Sequence, residues 1–497
     1  MHSKTITMFL SVALLSVGAT ACGNKGKGKT QSPEQAKASK EAMLNPELAT
    51  KAAKEDFAKA AKSYEAAKKD GKLSPAECEE QSAKWMQVYK KHGKQMAVAY
   101  FNAAAVWEEC GDIEKAEKMY LQMTKEVPGY DMSYNNLGVI YWNRKQEAKA
   151  LSYFKKAVEV NPRTNAPRNN LAAALRDRYS KTPDQKDFEA AEGHIQRVLA
   201  VDSNNRVAYE NLARLYYDRG RLKDRSYLVL ANLVVTQGIK VLKEAGLQSA
   251  DLYNLKGLLL MEDNNQVEAL KAFKKAVEVD PNHADANLNM ALLAIRFRDF
   301  ENGEKSFKIA ARDRRHAKNI ETFLGLGVAQ RGLRKYGDAE KSFHKAEKLD
   351  SKDPRPLFNL GILYHEHLAS QDDIDLEGIK KHYNTAKDYF QKFVQKAGND
   401  KKYAASVADA KNRIEQIEES FRTWAEMAEL ERKAKELEEL QRKQEEEEKK
   451  RLLEAEKRAL EAAKRAEEAA RKKAEEAAKK AEEKGGEAKK ADEKKEK

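Results

Sequence analysis

At 497 residues with net charge +13, from 93 Lys and Arg against 80 Asp and Glu, the chain is too long for one hydrophobic core. Several units or a repeat array are expected. Charged residues make up 35% and Gly plus Pro only 34 residues, which suits helices better than turn-rich sheets. A mean hydropathy of −0.81 excludes a multi-span membrane protein, and three cysteines are too few for a disulfide scaffold or a four-thiolate zinc site.

In chain order, a short basic start (Met1-His2-Ser3-Lys4) precedes an apolar stretch from Ile6 to Val17, too short to span a bilayer. Ala19-Thr20-Ala21-Cys22 follows and resembles the lipobox of bacterial lipoproteins, with Ala19 where Leu is usual. The resemblance implies that residues 1–21 are a signal peptide, that Cys22 is lipidated and that the protein sits at the outer membrane, facing the periplasm. Gly23 to Thr30 spells G-x4-G-K-T. A phosphate loop, however, needs a preceding strand and a following helix, and neither pattern is present. Residues 22–40 are read as a flexible basic tether, and residues 41–96 as capping helices.

The body from 97 to 400 repeats. Tyr134, Leu137, Gly138, Tyr141, Ala150, Phe154, Ala157 and Pro162 recur in frame as Tyr100, Ala103, Ala104, Trp107, Ala116, Tyr120 and Pro128, and again as Tyr253, Gly257, Leu260, Ala269, Phe273, Ala276 and Pro281. This spacing resembles the tetratricopeptide repeat (TPR). It implies an all-α superhelix of about eight helix-turn-helix units beginning at Ala97, Asp131, Asn165, Arg206, Ala250, Ala284, Ile320 and Pro354. Longer intervals place insertions near 180–187, 221–246 and 369–380.

In such an array the first helix of each unit lines a concave face that holds peptides or a partner's helix. One position there reads Asn102, Asn136, Asn170, Asn211, Asn289 and Asn359, broken by Leu255 and Gly325. The series resembles the asparagine ladder of TPR superhelices such as that of O-GlcNAc transferase, which implies a clamp on a peptide backbone. The alternative is that these carboxamides are structural consensus. Phe101, Trp142 and Tyr217 either add binding area on the same face or fill the core.

No catalytic motif or cofactor motif emerges, so no enzyme is expected. His365-Glu366-His367 places its two imidazoles on opposite sides of a helix, against a shared metal. Cys78 and Cys110 fall at the same end of adjacent helices and are either bridged or free.

From Lys401 to Lys484 the chain is a Lys/Glu/Ala helix of roughly 125 Å. Residues 431–497 hold 23 basic and 21 acidic side chains, many three or four apart. It is a single helix or a weak coiled coil that self-associates through Leu437, Leu440, Leu453 and Leu460, and residues 485–497 are expected to be disordered. The composition resembles the stalk of TolA-type proteins.

Taken together, lipobox, repeats and charged tail resemble the TPR lipoproteins of the myxobacterial gliding-motility envelope complex. That implies a scaffold binding proteins or peptides, anchored to a membrane through Cys22 and remote from nucleic acid. Outer-membrane assembly, pilus or secretin biogenesis, and holding of exported peptides are the alternatives.

Overall fold

The computed structural model describes residues 49–492, with side-chain surroundings as far as 482. The segments expected to be a signal peptide and a tether, Cys22 and the first expected capping residues lie outside the described residues. The chain divides after Leu349 into two compact units.

The first unit opens with α1 (Lys51–Ala67) and α2 (Pro75–His92). Ser74 and Glu77 cap α2 reciprocally, and Pro75 supplies the fixed first φ. Seven helix pairs follow: α3 (Ala97–Glu109) with α4 (Ile113–Glu126), α5 (Asp131–Asn143) with α6 (Glu147–Val160), and α7 (Asn165–Lys181) with α8 (Gln185–Val201). The series continues with α9 (Arg206–Leu222) and α10 (Ser226–Glu244), then α11 (Ala250–Glu262) and α12 (Gln266–Val279). It ends with α13 (Ala284–Arg296) and α14 (Phe300–Ala310), then α15 (Ile320–Gly332) and α16 (Tyr336–Leu349). All seven first helices start at the residue the repeat frame names. The insertions near 180–187 and 221–246 lengthen helices: α7, α8 and α9 have 17 residues and α10 has 19, against 13 in α5 and 14 in α6.

Burial separates the two helices of a pair. α5 is buried on every side from Ser133 to Trp142, whereas α6 buries only Ala150, Leu151, Phe154 and Ala157. Successive first helices also touch one another more closely than successive second helices do, which puts the first helices on the inner side of the curve. Glycine permits the crossing within a pair: a Cβ on Gly138 would stand 2.5 Å from the Phe154 ring, and one on Gly327 2.5 Å from Phe343. In five of the seven pairs the turn between the two helices takes a left-handed residue. Gly111 supplies it once, while Lys145, Asn264, Arg298 and Arg334 adopt φ of 55–65° without being glycine.

In the second unit the eighth pair is α17 (Arg355–Ile362), continued as a π-helical turn through Leu363–Leu368, and α18 (Leu376–Ala397). Its first helix starts one residue later than expected, with Pro354 as the cap. α19 (Ala404–Asp492) is one helix of 89 residues, about 130 Å long. Its first turns pack on α18 through Ala410 and Ile417, both fully buried, and Trp424 lies 5.4 Å from the Tyr383 ring. From 431 to 482 every side chain is exposed. Ion pairs such as Glu439–Lys443 (2.8 Å) and Glu447–Arg451 (3.0 Å) support the helix from within, each with the acid N-terminal to the base. The expected end at 484 is corrected: the helix runs through Gly485-Gly486 to Asp492. Two glycines cost about 1 kcal/mol each, and the helix formers on either side carry it across. The leucines proposed as a seam diverge, because at 100° per residue Leu437 and Leu453 point about 160° apart.

Candidate functional site

Four of the six asparagines of the repeat frame lie inside the first unit. Asn102, Asn136, Asn170 and Asn211 are buried, while Asn289 and Asn359 are half-buried. Their bonding follows a rule between neighbouring pairs. The Asn170 amide donates to Asn135 Oδ1 (2.8 Å), Asn289 donates to Asn254 Oδ1 (2.8 Å), and Asn211 donates to the Asn169 carbonyl (3.2 Å). In each case the sixth residue of one first helix bonds the fifth residue of the preceding one. Asn136 donates instead to Tyr120 (2.9 Å) and to Glu108 Oε2 (3.1 Å). In the second unit Asn359 donates to the Arg355 carbonyl (3.0 Å) within its own helix. The amide groups of Asn136, Asn170 and Asn211 are therefore engaged in holding adjacent units in register. Phe101, Trp142 and Tyr217 are also buried, with Phe101 against the rings of Tyr120 and Tyr130.

The accessible part of the inner side lies elsewhere. A cleft of ≈ 360 Å³ opens between the N-terminal halves of α9 and α11, bordered by Arg176, Arg206, Arg214, Glu210, Asp251 and His283. Helix register puts these groups together: Glu210 and Arg214 are four apart on α9, and Asp251 occupies the first turn of α11. Arg176 reaches across from α7, donating to Asn211 Oδ1 (2.9 Å) and pairing with Asp177 (2.9 Å). Ser249 donates to Glu210 (2.7 Å), and His283 lies 3.1 Å from Asp251. Burial, then the charge of Asp251, pushes the Glu210 carboxyl above its ordinary range. Burial does the same to Asp218, one turn beyond Arg214. The cleft thus interleaves Arg206, Glu210 and Arg214 along α9 with Arg176 from α7 and Asp251 from α11, a mixed-charge lining suited to a segment carrying both charges.

Beyond it the chemistry changes. At the register of Arg214 and Tyr217, α11 carries Leu258 and Met261, α13 carries Leu292 and Ile295, and α15 carries Val328 and Arg331. Leu292 is 37% exposed, and Leu258, Met261, Ile295 and Val328 are half-buried. A charged stretch therefore gives way to an aliphatic one along successive first helices. Sequence reasoning followed the asparagines and, six positions on, only the aromatics Trp142 and Tyr217, and so missed the aliphatic residues that hold the same registers in α11, α13 and α15.

Cys78, in the first turn of α2, and Cys110, capping α3, are bonded to each other, with Cα atoms 6.3 Å apart. His365 and His367 lie in the π-helical turn, where Arg413 donates to Glu366 between them (2.6 Å). Among the described residues no group of three metal-ligating side chains occurs.

Two stretches, 132–163 and 250–283, match family models described as tetratricopeptide repeat. The chain carries tetratricopeptide repeats. It is 22% identical over 299 residues to a human protein named Protein O-mannosyl-transferase TMTC3, a match covering 51% of this chain and 32% of that protein. It is 33% identical over 103 residues to the Photosystem I assembly protein Ycf3 of Cuscuta gronovii, covering 20% of this chain and 61% of the relative. The chain thus spans about a third of the first relative's length and under two thirds of the second's. Among solved structures, one of Pseudomonas aeruginosa pilF is 17% identical, covering 46% of this chain and 95% of that one, with a TM-score of 0.36. The TPR frame accounts for the buried first helices and for the Gly–Phe crossings alike.

Proposed function

We propose that this chain is a protein-interaction scaffold of the bacterial cell envelope. It is lipid-anchored at Cys22, binds a partner's peptide or helix along the inner side of its TPR array, and is not an enzyme. The observation that carries the interaction reading is the mixed-charge cleft at Arg176, Glu210, Arg214 and Asp251, followed in register by Leu258, Met261, Leu292 and Ile295. Such a surface suits a segment with charged and aliphatic halves. The lipobox at Ala19–Cys22 supports the anchor and the periplasmic side of the outer membrane as the location. α19 would carry contacts to further components. A place in the gliding-motility machinery is the finer proposal, drawn from the architecture as a whole. Mannosyl transfer, named in a relative of which this chain spans 32%, is not assigned here.

The test places a photo-crosslinking amino acid at Leu258 on the inner side or at Lys271 on the outer face of α12, in the native envelope. Adducts from position 258 that disappear with Arg214→Glu support the reading. Equal adducts from both positions, or adducts indifferent to Arg214→Glu, refute it. Mass spectrometry of the mature N-terminus tests the anchor separately: a free, unacylated Cys22 removes it.

A further inference from the structure

The insertion at 221–246 has a property that the inner side of the array does not use. In a chain that is 35% charged, Ser226 to Ile239 contains no charged residue. Second helices elsewhere alternate: α12, at the same place in the next repeat, reads QVEALKAFKKAVEV. On α10 the consequence reaches the surface. Val229 is 71% exposed, Leu233 64% and Leu230 39%, and Leu222, at the end of α9, is 46% exposed. Val229 and Leu233 are four apart and share one face of α10 with Lys240. The core-facing side of the helix is separately occupied by Ala231, Val235, Gly238 and Leu242, so these aliphatic side chains belong to no internal packing layer. A contiguous aliphatic patch with nothing charged inside it marks an interaction surface.

We propose that this outward face of α10 rests on an anionic lipid surface. Three features choose that occupant. Cations stand at both ends: Lys223 before the helix, and Lys240 and Lys243 in its last turns, none of them in an ion pair among the described residues. Arg221 and Arg225 add two more, sharing the single carboxylate of Glu262 at 3.2 and 3.5 Å, so that five cations face the three carboxylates of Asp224, Glu244 and Glu262. A second copy of the chain is disfavoured by the same charges, since a helix laid on α10 in either direction brings cationic ends together. Lastly, Asn232, Thr236 and Gln237 border the aliphatic patch as exposed, uncharged polar groups. At a headgroup layer they keep water, whereas a dry protein interface would have to supply each with a partner. The arrangement is that of an interfacial helix: shallow aliphatic insertion with flanking bases on phosphates. It does not depend on an acyl chain.

The experiment is flotation of residues 23–497, which retain every described residue and lack Cys22, with vesicles of phosphatidylcholine alone or mixed with phosphatidylglycerol. The parent should float with the mixed vesicles and much less with phosphatidylcholine. Val229→Glu combined with Leu233→Glu should lower partition by at least about tenfold, and Lys240→Glu with Lys243→Glu by several-fold. Lys25, Lys27 and Lys29 are common to all variants, so the differences report α10 alone. Both hydrophobic positions are well exposed, and unchanged far-UV circular dichroism verifies that the variants fold. A parent that stays at the bottom, a Val229/Leu233 variant that floats as well as the parent, or a dimer in sedimentation that the variant abolishes would each overturn the proposal. Because Cys22 is absent throughout, failure here leaves the lipid-anchor reading standing, and the reverse holds too.

Discussion

Glu108 is the most informative single substitution in the first repeat. It is 5% exposed near the end of α3, where Tyr120 donates to its Oε2 at 2.9 Å and Asn136 at 3.1 Å, while Oε1 is buried with no hydrogen-bond partner among the described residues. Burial, opposed by those two bonds, pushes its carboxyl from 4.5 up to about 7. Because the folded protein then holds this proton more tightly than the unfolded chain, stability falls as pH rises from about 4.5 and levels off above about 7. The linkage is worth at most about 3 kcal/mol. Glu108→Gln keeps an acceptor for Tyr120 and Asn136 but never ionises. It should therefore gain about 2 kcal/mol over the parent at pH 8 and almost nothing at pH 5. Urea unfolding followed by tryptophan fluorescence measures this, since Trp85, Trp107 and Trp142 lie in or beside these helices. An advantage equal at both pH values, or a variant weaker than the parent at pH 8, would refute the account.

Three further outcomes follow from the same geometry. The Cys78–Cys110 bond closes 32 residues, so Cys78→Ser with Cys110→Ser, or a reductant, should lower the stability of the N-terminal helices by roughly 3–4 kcal/mol in urea unfolding. Asn170→Ala removes a buried amide and orphans Asn135 Oδ1, costing about 1–3 kcal/mol, whereas Asn359→Ala, half-buried and bonded within its own helix, should cost under about 1 kcal/mol; thermal scans of each variant compare them. Lys145→Gly relieves a left-handed lysine and should raise the melting temperature by more than Asn264→Gly does, because asparagine tolerates that conformation better.

The fold was legible where local chemistry repeats. Small residues at crossings and aromatics one helix later set the start of every first helix in the first unit, because steric fit at Gly138–Phe154 is a property of two residues at a fixed spacing. The inner surface was less legible. Asn136, Asn170 and Asn211 lie at positions expected to face a ligand, but their amides turn to neighbouring units, and that partner depends on how closely successive first helices approach. The cleft needed Arg176, Glu210 and Asp251 from three repeats, with an insertion lengthening each of the two intervals between them. The leucines of α19 form two close pairs, Leu437 with Leu440 and Leu453 with Leu460, but the 16 residues from Leu437 to Leu453 carry the second pair to the other side of the helix.

α19 has mechanical consequences as well as chemical ones. Its buried footing on α18 ends near Trp424, and the solvent-borne part from there to residue 482 measures about 87 Å. Over that length a 5° change in the α18–α19 crossing displaces residue 482 sideways by about 8 Å. Ala410, Ile417 and their neighbours are thus the fulcrum of a lever, and a methyl group lost there would be read at the far tip.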